Sequence, residues 1–293
     1  MKVLVVGGTG FIGEALCREL DDRGHEVMAL SRTPDDADLP GNVETVTGDV
    51  TDYDSIEGAF DGMDAAYNLV SLSPLYKPRG SRTHDEVHLG GTKHAVRAAE
   101  DHGVSRFVQM SALGADPDGP TAYLRAKGEA ETVVRESDID WTVFRPSVVF
   151  GDGGVFVPFT KQLTTPYVTA LPGGGKTRFQ PIYRADMVRI LADGIEGNHA
   201  GETDDIGGPE VLTLAEVTKL AYRAEGKSVS IVPVPMSLAG IGLTLAGPLP
   251  FVPFGPDQAR SLKIDNTTAN NDIGAFGLER GDLTTLREYL GIV

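Results

Sequence analysis

The chain has 293 residues, of which 41% are hydrophobic, so global disorder is excluded and the length fits one large domain or two closely associated ones. Acidic residues outnumber lysine and arginine by 42 to 26, and the net charge of −16 argues against nucleic acid as a partner. The low lysine content, 9 against 17 arginines, is typical of a halophilic protein kept soluble in very high salt; an ordinary acidic cytosolic protein is the alternative.

The first 150 residues alternate short apolar runs with amphipathic helical patterns. The apolar runs predict strands at 3–6, 27–30, 43–47, 65–70, 106–110 and 141–144. Helices are predicted between them at 11–23, at 53–60 with Asp52 as its cap, at 84–102 and at 121–136. Apolar strands that alternate with helices predict an α/β fold, a doubly wound parallel sheet of the Rossmann type covered on both faces.

After Gly151 the pattern changes, because clusters of glycine and proline appear and apolar runs become fewer. Helices are predicted at 184–195, 213–225 and 282–290. We expect a dinucleotide-binding domain at 1–150, to which 183–208 returns, and a smaller substrate-binding region formed by 151–182 and 209–293.

The only cysteine, Cys17, excludes an internal disulfide and a cysteine-based zinc site, and its place in the first helix predicts a buried side chain. No secretory signal is visible. The longest uncharged apolar stretch, 232–256, has a helical part too short for a bilayer, which needs about 20 residues. We therefore expect a cytoplasmic protein.

The glycines of residues 7–13, here called the glycine loop, follow the first strand and precede the first helix. Gly7 permits a tight turn, Gly10 lets the backbone approach a pyrophosphate, and Gly13 lets the helix pack close to the strand. The helix N-terminus attracts phosphates, so Thr9, Phe11 and Ile12 join the predicted dinucleotide site. A glycine-rich turn without a ligand is the alternative.

The end of the second strand distinguishes the two nicotinamide dinucleotides. NAD sites commonly place an acid there, whereas this chain has Ser31 and Arg32. A guanidinium can pair with a 2′-phosphate, so NADP(H) is favoured and NAD is the alternative. The alternative is a solvated Arg32 paired with Asp35 or Asp36, which would favour neither dinucleotide.

Asp49 and Val50 follow the third strand, where an adenine ring would lie. Asp49 could accept a hydrogen bond from the exocyclic amine while Val50 covers the ring. A turn or N-cap role for Asp49 is nearly as well supported by the same residues.

Tyr123 and Lys127 lie four residues apart on a predicted helix, which places them on one face, one turn apart. A nearby ammonium lowers the pKa of a phenol and makes it a usable general acid or base near neutrality. This spacing, downstream of the glycine loop, predicts an acid–base pair.

With these motifs the chain resembles the extended short-chain dehydrogenase/reductase superfamily, which includes NAD-dependent epimerases and dehydratases. Within it, the chain is most similar to the atypical branch of the nucleotide-binding accessory subunit of respiratory complex I. The resemblance is carried by residues 7–13, 48–50, 68–71, 91–92, 107–115, 123–131, 145–151, 180–188 and 206–213. It implies that Leu69, Val70, Ser71 and Pro146 also contact the cofactor.

The resemblance further implies that Tyr123 is the acid/base, that Lys127 holds the nicotinamide ribose, and that Ser111 orients the substrate. The chain departs from the pattern where many members carry the active hydroxyl, since that position is Ala112, and only twelve residues separate Ser111 from Tyr123. His88 stands where the family often has asparagine. Binding without turnover therefore stays open.

Several other side chains could bind a charged group of the substrate, although solvated charges or surface ion pairs are the alternative for each. They are Lys77, Arg79 and Arg82 in the loop after the fourth strand, and Arg178 and Arg184 near the second region. The histidines at 84, 88, 94 and 102 lack nearby acids at metal spacing, so no metal is expected.

The apolar stretch 236–254 is read as a core helix, or as a lip for a lipid-like substrate, a quinone or a peripheral membrane contact. A small-molecule substrate is the expected partner, and three functions are considered. The protein is an NADP(H)-dependent oxidoreductase or epimerase, a non-catalytic accessory protein of a membrane-associated complex, or a redox-sensing regulator. The substrate and the oligomeric state stay undetermined.

Overall fold

The computed structural model describes residues 1–76, 78, 80–235 and 256–292, apart from the side chains of Asp36 and Pro256. The chain divides into two compact units. The first comprises Met1–Leu72, Gly80–Pro146 and Arg184–Asp205, and the second the described parts of Ser73–Arg79, Ser147–Tyr183 and Ile206–Val293. The apolar stretch at 236–254 lies outside the described residues.

The strands of the described chain, numbered in order, are β1 Lys2–Val6, β2 Glu26–Ser31, β3 Glu44–Thr47, β4 Ala65–Asn68, β5 Arg106–Met110, β6 Asp140–Pro146, β7 Val149–Phe150, β8 Tyr167–Pro172, β9 Arg178–Phe179, β10 Ile182–Tyr183, β11 Glu202–Ile206, β12 Leu212–Thr213 and β13 Val229–Val234. The α-helices described are α1 Gly13–Asp22, α2 Gly91–Asp101, α3 Ala122–Arg135, α4 Phe156–Gln162, α5 Arg184–Glu196, α6 Leu214–Arg223, α7 Pro256–Ser261 and α8 Leu286–Tyr289.

The first unit is built on a seven-stranded sheet in the order β11-β6-β5-β4-β1-β2-β3, with parallel pairing from β6 through β3. The four valine and leucine residues of β1 at 3–6 are fully buried, as a strand covered on both faces requires. The predicted Rossmann fold is confirmed. The strand order reverses between β1 and β4, and ligands of such sheets bind at that point.

Helix α1 packs its apolar face on the sheet through Leu16, Cys17 and Leu20, all fully buried. Burial raises the pKa of the Cys17 thiol to about 12, so the thiolate is absent near neutrality. The expectation of a buried cysteine side chain is confirmed.

The helix predicted at 53–60 was wrong in type, because the structure forms two 3₁₀ segments, Tyr53–Ser55 and Glu57–Phe60, and Asp52 makes no side-chain cap. The Ser55 hydroxyl donates instead to the Asp52 carbonyl oxygen at 2.8 Å, and side-chain bonds of this kind compete with helix formation.

The helix predicted at 84–102 begins as a π-helical segment, Asp85–Gly90, before α2 continues it to Asp101. The helix predicted at 282–290 is shorter, since a capping box between Thr285 and Glu288 starts a separate helix, α8.

The described residues of the second unit form three two-stranded sheets and a core that includes Phe150, Phe156, Leu171 and Val217. The parallel pair β8–β13 joins residues 62 positions apart, such as Tyr167 and Val229. No strand was predicted at either place, because the apolar runs there are interrupted by prolines and polar residues.

The longest helix in the part of the chain that the structure describes, α3, has 14 residues. Within that part no helix is both long and apolar enough to cross a membrane.

Candidate functional site

The glycine loop is held at the carboxyl end of β1 by contacts that only glycine permits. Gly7 has a φ of +87°, and its N–H donates to the Leu30 carbonyl oxygen at 2.8 Å. A Cβ on Gly13 would lie 2.2 Å from the Gly7 carbonyl oxygen, so a side chain there would push α1 away from the loop. The predicted roles of these two glycines agree with this geometry.

The turn into α1 leaves backbone donors uncommitted. The N–H groups of Phe11 and Ile12 donate to no described residue. Gly10 is exposed, and a Cβ built on it would approach only the Gly7 carbonyl oxygen, so a ligand can reach its backbone. Thr9 is half-buried beside them. Uncommitted N–H groups at the positive end of a helix form an anion site.

The residues that follow β4 lie against the glycine loop. Leu69 donates its N–H to the Val6 carbonyl oxygen at 2.9 Å. The Val70 side chain lies 3.2 Å from the position that a Cβ on Gly7 would take, and Ser71 follows as an exposed residue. The structure therefore brings the loop and residues 69–71 together at the reversal of strand order.

The tip of β2 carries a polar atom without a partner. The Ser31 hydroxyl oxygen is buried and makes no hydrogen bond to a described group. Arg32 is exposed and forms no ion pair with the described carboxylates, Asp35 among them, while the Asp36 side chain is outside the described set. A buried hydroxyl is normally satisfied, so a ligand group at this position would complete its bonding.

The Asp49 carboxylate accepts hydrogen bonds from protein groups, which differs from the predicted adenine contact. Its Oδ1 accepts from the Thr51 N–H and hydroxyl at 3.1 and 2.9 Å, and its Oδ2 accepts from Arg82 at 2.5 Å. This arrangement is the predicted turn alternative. Burial raises the carboxyl pKa, but the hydrogen bonds from Thr51, together with the ion pair with Arg82, lower it overall. Val50 is buried against Gly91, as a hydrophobic wall would be.

Tyr123 lies in the first turn of α3, and its hydroxyl interacts with the Ser71 side chain. Burial raises the pKa of Tyr123 to about 12, and the interaction with Ser71 opposes this shift only in part. The expected lowering of the phenol pKa by Lys127 was wrong for this structure, because burial raises the pKa and Ser71, not Lys127, is the group that opposes it.

Lys127 is 1% exposed and donates from Nζ to the Met110 carbonyl oxygen at 2.7 Å. Burial lowers the pKa of Lys127 to about 8, and the Glu131 carboxylate acts in the opposite direction. The ammonium therefore titrates close to neutral pH and is oriented by the end of β5.

Ser111 does not meet Tyr123 through its hydroxyl. The Ser111 hydroxyl donates to the Glu131 carboxylate, which is fully buried on α3. Arg145 donates to the same carboxylate from Nε at 2.8 Å and from Nη2 at 2.6 Å, and Arg135 donates at 2.7 Å. Sequence reasoning missed Glu131, although it continues the spacing of four from Tyr123 and Lys127.

Two buried histidines lie beside Tyr123. The rings of His84 and His88 stack with centroids 5.5 Å apart, and both meet the Tyr123 ring edge-on, at 5.5 and 5.3 Å. His88 Nε2 accepts the Leu72 N–H at 3.4 Å, and burial holds its pKa well below 6.5, so the ring is neutral. Within the described chain, no group of three or more metal-binding side chains is arranged to hold an ion.

The two arginines predicted near the second region differ in their partners. Arg178 pairs with Asp265 at 2.7 Å, whereas Arg184 donates from Nη1 to the Phe11 carbonyl oxygen at 3.2 Å. Pro146 is buried at the end of β6, where its carbonyl oxygen accepts the Leu113 N–H at 3.1 Å. The side chains at 77 and 79 lie outside the described residues.

A profile of the family described as NAD(P)H-binding matches residues 7–195, which include the glycine loop, the β2 tip and Tyr123 with Lys127. The match spans more than half of the chain. The chain belongs to the NAD(P)H-binding family.

Among relatives of this NAD(P)H-binding protein, the NADH dehydrogenase [ubiquinone] 1 alpha subcomplex subunit 9 of Arabidopsis thaliana mitochondria is 29% identical over 290 residues, covering 91% of this chain and 71% of the relative. A 3β-hydroxysteroid dehydrogenase/Δ5→4-isomerase of Mycobacterium tuberculosis is 28% identical over 260 residues, covering 77% and 70%. The predicted membership of the extended short-chain dehydrogenases/reductases is confirmed.

The fold also agrees with a solved structure. A nucleoside-diphosphate-sugar epimerase from Staphylococcus aureus aligns with a TM-score of 0.76 over 99% of each chain at 18% identity. At that identity the likeness describes the fold alone.

The residues of this NAD(P)H-binding protein fit a dinucleotide. The uncommitted N–H groups of Phe11 and Ile12 suit a pyrophosphate, and the unpartnered Ser31 hydroxyl suits a ribose or its phosphate. Gly10 leaves the approach free of a side chain. The cofactor is therefore a nicotinamide dinucleotide.

Proposed function

We propose that this protein is an NADP(H)-dependent oxidoreductase or epimerase that acts on a carbon bearing a hydroxyl or carbonyl group of a small molecule. The observation that carries the proposal is the position of Tyr123, whose hydroxyl interacts with the Ser71 side chain and whose ring lies against His84 and His88. Ser71 adjoins Val70, which packs on Gly7, so the phenol stands within a few residues of the glycine loop.

Tyr123 is the proposed acid/base. With a pKa of about 12 the phenol carries its proton at neutral pH and has it available for donation to a carbonyl oxygen during reduction. A bound nicotinamide would supply the hydride. The Ser71 hydroxyl can donate to the phenolate that remains and so limit the cost of forming it.

Lys127 is proposed to hold a ribose of the cofactor. An ammonium has three N–H donors, and the Met110 carbonyl oxygen occupies one of them. The other two donors are proposed to bind the hydroxyl groups of that ribose.

Preference for NADP(H) rests on Ser31 and Arg32 at the β2 tip. In the described chain no acid pairs with Arg32, so its guanidinium can accept a 2′-phosphate in a bidentate arrangement. Arg32→Ala should weaken NADPH binding at least tenfold and leave NADH binding unchanged, as measured by fluorescence titration. An unchanged ratio of the two affinities would show that the 2′-phosphate assignment is wrong.

The acid/base role is tested with Tyr123→Phe and the control Tyr53→Phe, whose phenol bonds to Asp101 elsewhere. Oxidation of NADPH is followed with a panel of ketones ranging from small to steroid-sized. Tyr123→Phe should lower kcat by about 100-fold or more while the NADPH Kd stays within about threefold. Equal kcat values in the two variants would refute the role.

A second candidate function is a non-catalytic, dinucleotide-bound accessory protein of a membrane-associated complex. It is favoured by the two residues that follow β5. The Ser111 hydroxyl donates to Glu131, and the next residue, Ala112, has no hydroxyl with which to orient a substrate. The similarity to a complex I subunit supports the same direction. Membrane fractionation and partner capture at native salt test it, and NADPH turnover by a partner-free soluble protein would count against it.

A further inference from the structure

Arg184 occupies an unusual electrostatic position for so acidic a chain. It is the first residue of α5, it is half-buried, and no carboxylate of the described residues forms an ion pair with it. Its guanidinium carbon lies 5.1 Å from the centre of the Phe11 ring, and Nη1 donates to the Phe11 carbonyl oxygen. Both contacts are to the glycine loop.

These contacts leave most of the guanidinium uncommitted. Arginine has five N–H donors, and the Phe11 carbonyl oxygen accepts from one nitrogen. The N–H groups of Phe11 and Ile12 are also uncommitted within the described chain. A fixed positive charge and backbone donors therefore converge at the same segment of the loop.

We infer that Arg184 is a phosphate-binding residue that pairs with the pyrophosphate of the bound dinucleotide. The inference rests on the proposed cofactor and adds a cation that the loop motif does not contain. The Phe11 ring and carbonyl oxygen orient the guanidinium, so less side-chain freedom is lost when a phosphate oxygen is bound. Because both NADPH and NADH carry the pyrophosphate, Arg184 contributes equally to the two.

A purely structural role makes a different prediction. If Arg184 only fastens the glycine loop to α5, its loss disturbs the loop and lowers the thermal midpoint. Arg184→Met retains most of the apolar stem over the Phe11 ring, whereas Arg189→Met removes an exposed arginine from the same helix and is the matched control.

The experiment measures the Kd of NADPH, NADH and adenosine 2′-monophosphate, which lacks the pyrophosphate, by calorimetry, together with the Tm of each variant. Arg184→Met should weaken NADPH and NADH by the same factor, about tenfold or more, and leave the affinity for adenosine 2′-monophosphate and the Tm unchanged. Arg189→Met should bind all three as the unmodified protein does.

Wild-type-like binding of both dinucleotides by Arg184→Met would overturn the inference, as would an equal loss of affinity for adenosine 2′-monophosphate or a lowered Tm with no selective loss. Failure of the proposed function is distinguishable, because the unmodified protein would then bind both dinucleotides without turning over NADPH, whereas failure of the cofactor assignment would leave it binding neither. Arg32→Ala separates the two phosphates, since it should affect NADPH and leave NADH unaffected.

Discussion

The buried carboxylate of Glu131 gives the sharpest prediction for stability. Its side chain is 1% exposed and accepts from Ser111, Arg135 and Arg145. Glu131→Gln keeps the shape but places an amide NH₂ against guanidinium donors. At least two charge-assisted bonds are lost, at about 1.5 kcal/mol each, so we expect a loss of about 3 kcal/mol. Arg135 and Arg145 are 35% and 26% exposed and can turn toward water, which keeps the loss at the lower end of the range for a broken buried pair.

Urea unfolding followed by circular dichroism measures this loss, and a midpoint lower by about 1 M corresponds to it for an m-value of about 3 kcal/mol/M. Glu129→Gln, an exposed neighbour on α3, is the control and should change stability by less than about 0.5 kcal/mol. The difference should persist in molar KCl, because buried pairs are screened weakly. A loss below about 1 kcal/mol for Glu131→Gln would refute the reasoning.

Ser111→Ala should lower stability by about 1 kcal/mol in urea unfolding and leave kcat within about twofold, whereas Ser71→Ala should lower kcat about tenfold without a change in stability. NADPH affinity should weaken as the pH rises through about 8, since Lys127 is charged below that pH and neutral above it; Lys127→Met should remove this dependence in calorimetric titrations. Gly13→Ala should fail to fold, because its Cβ would meet the Gly7 carbonyl oxygen, whereas Gly10→Ala should keep its Tm and lose NADPH affinity at least tenfold.

Each of these expectations has a contrary result. A large loss of kcat in Ser111→Ala with unchanged stability would restore its predicted catalytic role. A pH-independent affinity in the unmodified protein would separate Lys127 from the cofactor. A soluble Gly13→Ala protein with native Tm would show that α1 can shift away from the glycine loop.

The first unit could be predicted because its signals are local. Four consecutive apolar residues in β1 and the glycines of the loop determine a strand, a turn and a helix start within 13 residues. The pair Tyr123 and Lys127 is likewise set by helical spacing alone, and the structure places both at the ends of β4 and β5.

The hydrogen-bond and ion-pair partners of the polar side chains could not be predicted, because these partners are distant in sequence. Ser111 lies 20 residues from Glu131, and Asp49 lies 33 residues from Arg82. Residue type identified Ser111 and Asp49 as candidates, but only the fold decides which of several donors and acceptors they meet. The pKa of Tyr123 followed the same rule, since it is raised by burial of the ring, which the spacing of Tyr123 and Lys127 could not reveal.

The second unit was the least predictable, because its strands are short and pair over long separations. Residues of β8 pair with β13 across 62 positions, and proline at 233 interrupts the apolar pattern that would have marked the latter. Strand propensity in such segments comes from the neighbouring strand and not from the segment itself.

The π-helical segment at 85–90 has a consequence for how this site can change. A π-helical turn contains about one residue more than an α-helical turn, and such turns are frequent at functional sites. Deletion of one residue within 85–90 would restore a regular helix and rotate the preceding residues by about 100° relative to α2. That rotation would move His84 away from the Tyr123 ring. The gain or loss of one codon is therefore enough to form or remove the contact between the His84 ring and the phenol.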